Sequence, residues 1–367
     1  MNKLPRADFL RLLGAGIAAV SVGASSRAAE RLRSPAKIKP IKGSWISIWW
    51  DDRRHYYWNE SCLHYTAKQW ELAVKEVAEI GMEYLVLLAI GKDRKAFYNT
   101  PLLPKLKMAC DNPIEALLTA ADKHHVKFFL SSDWYGQWDY KCLLDPALVR
   151  ARFQMMGEIA RQYGHHKSFY GWYWPNEAAI SPYFSEDFIA YVNASSHEAH
   201  QLMPKARILI APYGTHQAVC DARFVRQLQQ LEVDIVAYQD EVGCLRMGPA
   251  QSAAAFEKLR RAHDQAPQRA LWADVETFAW EGKPNDPDSP LIPAPFSRVK
   301  EQLAAVSPFV DTILIYQYQG LMNKPGSAAF AGHPDSTRLY TNYVHWLKES
   351  SRPVLRSPKE GTDTGTS

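Results

Sequence analysis

Through the middle of the chain, short apolar runs alternate with longer stretches in which apolar positions recur every three or four residues. The runs fall at residues 44 to 50 (SWISIWW), 82 to 90 (MEYLVLLAI), 126 to 132 (VKFFLSS), 169 to 174 (FYGWYW), 207 to 212 (RILIAP), 233 to 239 (VDIVAYQ), 270 to 276 (ALWADVE) and 312 to 318 (TILIYQY). Each is nearly continuous in its apolar character. Parallel strands covered on both faces look like this, whereas a strand with one wet face alternates strictly.

The intervening stretches carry helix signals. Trp70, Ala73, Val74, Val77 and Ile80 recur at helical spacing and predict one buried stripe. Thr66 with Gln69 forms a capping box; Asn112-Pro113 followed by Glu115, and Asp145-Pro146, each set a cap before a proline at the first helical position; Ser185 opens a further helix. Strict strand-helix alternation, eight times over, predicts an α/β fold, a single (β/α)8 TIM barrel over residues 43 to 350. Periodicity cannot show closure, so a doubly wound sheet is the alternative. No GxGxxG follows the first strand, which leaves the dinucleotide-binding version without support.

The flanks differ in character. Lys3 and Arg6 precede an apolar run at 12 to 24 that is short for a membrane span, and Ser26-Arg27-Ala28 offers a small-x-Ala cleavage site. A signal peptide over 1 to 28 is expected, with export to the periplasm or beyond and no stable membrane insertion after cleavage; an uncleaved anchor is the alternative. RADFLRLLGAG resembles a twin-arginine export signal, with Ala7 where the second arginine would stand, so the general secretory route stays open. Residues 29 to 42 read as a Pro/Lys-rich linker, and the polar tail 351 to 367 as disordered.

Composition narrows the class. The 367 residues are 47% hydrophobic and 22% charged, enough to bury a sizeable core. A net charge of +4 without a Lys/Arg block argues against nucleic acid as a partner. Cys62, Cys110, Cys142, Cys220 and Cys244 are scattered and never form a CxxC pair, so free thiols are expected in place of a disulfide framework or zinc knuckle. The 12 Trp and 18 Tyr are clustered, several beside Asp, Asn or Gln. Such rings keep a polar handle at a wet surface, and a polar ligand with apolar faces, a carbohydrate, fits them.

Barrel enzymes place their chemistry at the C-terminal ends of strands. The predicted ends present Asp51 and Asp52, Lys92 and Asp93, Asp133, Asn176 and Glu177, Tyr213 and His216, Tyr238 to Glu241, Asp274 and Glu276, and Tyr316 to Gln319. Glu177 and Glu276 follow the fourth and seventh strands, nearly opposite across an eight-stranded barrel. Glycoside hydrolysis needs such a pair, one acid to protonate the leaving oxygen and one carboxylate to attack the anomeric carbon or activate water. Trp174 and Pro175 beside Glu177 favour its neutral form, whereas Glu276 would need donors, from Tyr238 or Gln239, to stay charged. Asp51, Asp133, Gln239, Asp240, Asp274 and Gln317 are candidates for holding sugar hydroxyls, and Trp49, Trp134, Trp172 and Trp272 for stacking on sugar faces. Strand alternation puts Trp172 and Trp174 on one face, and Trp272, Asp274 and Glu276 on one face. The pairs His124-His125 and His165-His166 fall at helix ends and are expected to be structural.

Asn176-Glu177 after the fourth strand with Glu276 after the seventh resembles the retaining (β/α)8 glycoside hydrolases of clan A. The resemblance implies Glu177 as acid/base, Glu276 as nucleophile, Asn176 as donor to the substrate 2-hydroxyl and Tyr238 as the tyrosine that positions the nucleophile. The clan's usual strand-eight tryptophan is missing, the matching region reading YQYQG. The blocks GSWISIWWDD, YWPNE, AYQDEVG and WADVETF, spread over about residues 41 to 350, are also similar to an uncharacterised family of exported bacterial barrels grouped with glycoside hydrolases. Together these features predict an exported retaining glycosidase acting on a β-linked oligo- or polysaccharide, with no cofactor. The alternatives are a non-catalytic carbohydrate-binding barrel and a metal-dependent hydrolase using Asp51, Asp133, His216, Asp240 and Glu276; the latter lacks any HxH or HExxH spacing.

Overall fold

A computed structural model describes residues 37–49, 57, 62–92, 94–132, 143–286 and 288–350. The expected signal peptide, the first part of the linker, the polar tail and the candidates Asp51, Asp133 and Trp134 lie outside the described residues. Eight parallel strands close on themselves in chain order: β1 (Gly43–Ile46), β2 (Tyr84–Leu87), β3 (Lys127–Ser131), β4 (Phe169–Trp174), β5 (Arg207–Ile210), β6 (Ile235–Gln239), β7 (Ala270–Glu276) and β8 (Thr312–Tyr316). Gly43 pairs with Leu314 on one side and Tyr84 on the other, and these pairings complete the ring. The chain is a (β/α)8 barrel.

Every expected helix start is realised. Helix α1 (Ala67–Glu79) begins with the full Thr66/Gln69 capping box, α2 (Pro113–His124) with Asn112 and proline, α3 (Pro146–Tyr163) with Asp145 and proline, and α4 (Glu186–Leu202) with Ser185. Side-chain oxygens at these caps take up amide hydrogens that no helical carbonyl can reach. The remaining helices among the described residues are α5 (Ala222–Gln230), α6 (Pro249–His263), α7 (Phe296–Val306) and α8 (Ser336–Ser350). A two-stranded antiparallel ribbon, Phe278–Trp280 with Leu291–Pro293, rises beyond β7.

Two apolar layers separate cleanly along each strand. Trp45, Val86, Phe129, Tyr173, Leu209, Ala237, Trp272 and Leu314 pack together inside the barrel, and the alternate residues join the large cluster between strands and helices. The sequence boundary of the barrel moves earlier than expected. Ile41 is fully buried with its amide donating to Tyr343 on α8, and the Lys42 amide donates to the Ile313 carbonyl, so the end of the presumed linker is part of the wall.

Candidate active site

Strand alternation delivers Ala270, Trp272, Asp274 and Glu276 to the lumen face of β7, with Glu276 at the C-terminal rim. Trp272 belongs to the floor. Its ring lies 4.8 Å from that of Tyr84 and 6.4 Å from Phe129, four residues below Glu276, which at about 3.3 Å per residue is roughly 13 Å down the strand. The expectation that Trp272 stacks on a sugar gives way to a plug that closes the barrel.

Glu177 is half-buried; the Tyr173 hydroxyl donates to its Oε1 at 2.9 Å and Gln239 Nε2 to its Oε2 at 2.7 Å. Burial nevertheless outweighs these bonds and raises its pKa from 4.5 to about 7. Tyr173 lines the lumen of β4, its ring in edge contact with Trp45 at 5.9 Å. Sequence reading favoured its neighbours instead. Trp172 and Trp174 face the helix layer: their rings stack on each other at 6.2 Å, and Trp174 Nε1 donates to Ser196 on α4. A stacking role for Trp172 in the pocket is therefore corrected by the register of β4.

Glu276 is 5% exposed, and its Oε2 accepts a 2.7 Å hydrogen bond from the Cys244 amide. Its backbone is fixed from below the rim. Asp240 Oδ1 accepts from the Glu276 amide, while Gln302 Nε2 and Arg298 on α7 both donate to the Glu276 carbonyl. Burial, followed by the Asp240 charge, pushes the Glu276 carboxyl well above the carboxylate range. Asp240 is itself wholly buried, and Gln302 Nε2 donates to its Oδ2 at 2.7 Å. It holds the framework of Glu276 and does not present itself to substrate, which corrects its expected role.

Two donors expected for Glu276 go elsewhere. Gln239 serves Glu177. Tyr238, whose expected role was to position the nucleophile or touch substrate, points outward to His263 Nε2 on α6 at 3.0 Å. His263 Nδ1 faces the Arg269 carbonyl at 2.9 Å and must donate to it, so Nε2 accepts from the tyrosine. Residues 235 and 237 face inward with the lumen cluster, and alternation turns 238 the other way.

Two residues before Glu276, on the same strand face, stands a third acid. Asp274 is 3% exposed, and its Oδ1 makes no hydrogen bond among the described residues. Burial, then the charges of Glu177, Glu276 and Asp240, raise its pKa well above 3.8, which favours the protonated form. Tyr316 at the end of β8 is half-buried, and its hydroxyl is likewise pushed up by burial and by Glu177, Asp274 and Glu276. Phe278 meets the Tyr316 ring edge-on at 6.2 Å, and Trp280 packs against Phe278 at 5.9 Å, giving an aromatic wall on the β7 side of the rim. Tyr173, Trp280 and the Cys244 amide were absent from the expected site, and Tyr316 was expected only as one of the polar groups at the end of the eighth strand. Both faces of these strands are apolar, so nothing local shows that Tyr173 looks inward, and nothing marks an amide in a loop.

Asn176 is 5% exposed and one of its amide hydrogens is committed to the Tyr191 hydroxyl on α4 at 3.2 Å. Trp49 is half-buried with Lys92 Nζ 4.4 Å from its ring centre. Gln317 is fully buried, with the Ser47 hydroxyl 3.5 Å from its Oε1. The metal-ligand set imagined around His216 does not form among the described residues, since His216 Nδ1 pairs with Glu241 at 2.8 Å and its Nε2 with Gln217 at 2.9 Å.

Residues 41–329 match a domain family of unknown function, DUF4434. The chain belongs to that family. A comparison with curated proteins finds no match. Among solved structures the family member is similar to a proposed alpha-L-fucosidase from Bacteroides thetaiotaomicron VPI-5482, with TM-score 0.66 and 18% identity over 92% of this chain and 99% of that one. It is also similar to the endo-1,4-beta-mannanase of Rhizomucor miehei (TM-score 0.53, 10% identity, 84% and 95% of the two chains). The endo-beta-1,4-mannanase of Thermotoga petrophila gives TM-score 0.55 at 8% identity over 88% and 79%. At these identities the likeness is one of fold, the (β/α)8 barrel.

Proposed function

We propose that this DUF4434 protein is a glycoside hydrolase in which Glu177 acts as acid/base and Glu276 as nucleophile. The observation that carries the reading is that the two carboxyls stand at the C-terminal rim beyond β4 and β7, with Gln239 at the end of β6 donating to Glu177 at 2.7 Å while pairing in register with Asp274, two residues before Glu276 on β7. Paired carboxyls over one pocket are what cleavage of a glycosidic bond requires. The names of the structural neighbours, a fucosidase and two mannanases, support carbohydrate as the substrate class without choosing the sugar.

In the first step Glu276 attacks the anomeric carbon while Glu177 gives its proton to the departing oxygen; in the second Glu177 takes a proton from water as the glycosyl-enzyme is hydrolysed. Immobilisation suits Glu276 to attack, because its backbone is held by Asp240, Gln302 and Arg298 and its carboxyl by the Cys244 amide. A pKa of about 7 suits Glu177 to give and take a proton near neutrality. Both carboxyls are raised, so the productive form is the singly protonated pair, and the apparent titrations belong to the cluster as a whole. Retention, a β-linked substrate and export, supported by the clan A resemblance and the signal-like N-terminus, are parts of the same proposal.

Aryl glycosides provide the test. Burst release of the phenol by wild type, lost in Glu276→Ala and in Glu177→Gln, with azide restoring turnover of Glu276→Ala through an inverted glycosyl azide, is the expected result. Unchanged turnover in either variant would sink the assignment. Sugar binding by all three proteins without turnover of any glycoside would make the barrel a binding module.

A further inference from the structure

His165 and His166 follow α3 and precede β4, at the opposite end of that strand from Glu177. One nitrogen of each ring and one oxygen of Glu115, in the first turn of α2, all lie within 4.8 Å of one another. The two imidazole rings are 4.1 Å apart at 35°.

The tautomer of His166 is set by its other partner. Nδ1 lies 2.7 Å from Asp122 Oδ2, and Asp122 Oδ1 accepts from the Ser168 amide at 2.6 Å. With Nδ1 donating to the Asp122 carboxylate, a neutral ring keeps its lone pair on Nε2. That atom is buried in a residue 7% exposed and forms no hydrogen bond among the described residues, yet Glu115 Oε1 stands 3.3 Å from it. A lone pair aimed at a carboxylate is repulsive unless a cation lies between them. Metal-binding histidines very commonly give their second N–H to a carboxylate, which fixes the ring and raises its basicity.

We infer that Glu115, His165 and His166 form a binding site for a divalent zinc-class ion, with Asp122 orienting His166 from behind. Two imidazoles and one carboxylate suit zinc, which takes nitrogen and oxygen ligands at about 2.0 to 2.1 Å in a tetrahedron and would complete its shell with water. Neighbouring ligand atoms of such a tetrahedron stand about 3.3 to 3.4 Å apart, and the His166–Glu115 separation of 3.3 Å already has that value. The other ligand separations, at most 4.8 Å, close by rotation of His165, which is exposed and gives the ion its entry. Filled, the site ties the start of α2 to the turn that feeds β4. It lies away from the barrel rim, so its role is to hold the scaffold, and it is independent of the proposed glycosidase chemistry.

The test is titration of chelator-stripped full-length protein with zinc alone, followed by calorimetry and thermal melting. One equivalent is expected to bind at about micromolar or tighter concentration and to raise the melting temperature. His165→Ala and Glu115→Gln, both at accessible positions that leave the His166–Asp122 anchor in place, are each expected to weaken binding at least 10-fold, in line with the loss of one of three protein ligands. Turnover of an aryl glycoside at low temperature is expected to be unchanged in both. Absence of zinc uptake by wild type at 100-fold higher concentration, or equal uptake by both variants, overturns the site.

Discussion

Gly243 lies so close to Glu276 that a Cβ added to it would stand 2.7 Å from the Glu276 Cβ and 2.9 Å from Oε2. The absence of a side chain there lets the loop after β6 fold over the carboxyl and bring the next amide, that of Cys244, to 2.7 Å from Oε2. Gly243→Ala is therefore expected to displace the carboxyl or the loop by a substantial fraction of an ångström. A misplacement of this order costs about 10²-fold in rate, read as kcat/KM on an aryl glycoside, with the fold retained by circular dichroism. Wild-type kcat/KM in this variant would show that the contact positions nothing.

The acid/base role of Glu177 predicts a specific pH signature. Its carboxyl sits at about 7 and that of Glu276 is also raised, so kcat/KM should follow a bell with both limbs near or above neutrality, and not with an acid limb near 4.5. Glu177→Gln should lose about 10²- to 10⁴-fold with a poor leaving group and much less with a dinitrophenyl glycoside, which needs no protonation. Equal losses on both substrates would remove the general-acid assignment.

Stability should move with pH in the opposite sense to an ordinary ion-paired carboxylate. The folded pKa of Glu177 lies above its unfolded value, so between pH 4.5 and about 7 the folded state holds the proton longer. The stabilisation is complete below the unfolded value and is lost as pH rises through the folded one. For Glu177 the change is of order 2 kcal/mol after allowance for its partial exposure. Asp274→Asn, which removes a buried acid raised by the same cluster, should reduce the slope and raise the melting temperature at pH 8 while lowering activity. A steeper slope in the variant would contradict this account.

Tyr238 and Tyr316 allow the two faces of the wall to be separated. Tyr238→Phe leaves the buried His263 Nε2 without its hydroxyl partner and should cost about 1 to 3 kcal/mol of stability with kcat unchanged. Tyr316→Phe removes a hydroxyl that feels the charge of all three acids and should lower kcat with little loss of stability. Denaturant unfolding and steady-state kinetics on both variants check the contrast, and a large kcat loss in Tyr238→Phe would restore the role expected from the clan.

The eightfold alternation, the caps at Thr66, Asn112, Asp145 and Ser185 and the placement of Glu177 and Glu276 at strand ends were legible in the sequence, because they are local. Hydrophobic period, cap chemistry and position relative to a strand end depend on a few neighbouring residues. The parity within a strand was also legible, in that Trp272, Asp274 and Glu276 were expected to share a face. Which parity looks into the lumen was not, because both faces of a parallel barrel strand are apolar and either could be the inside. Closure decided it, turning Tyr173 inward and Trp172, Trp174 and Tyr238 outward. Tertiary structure alone brought the Cys244 amide to Glu276, sent Gln239 to Glu177 and set Glu115 beside His166, since each joins segments that approach only when the ring of strands is complete.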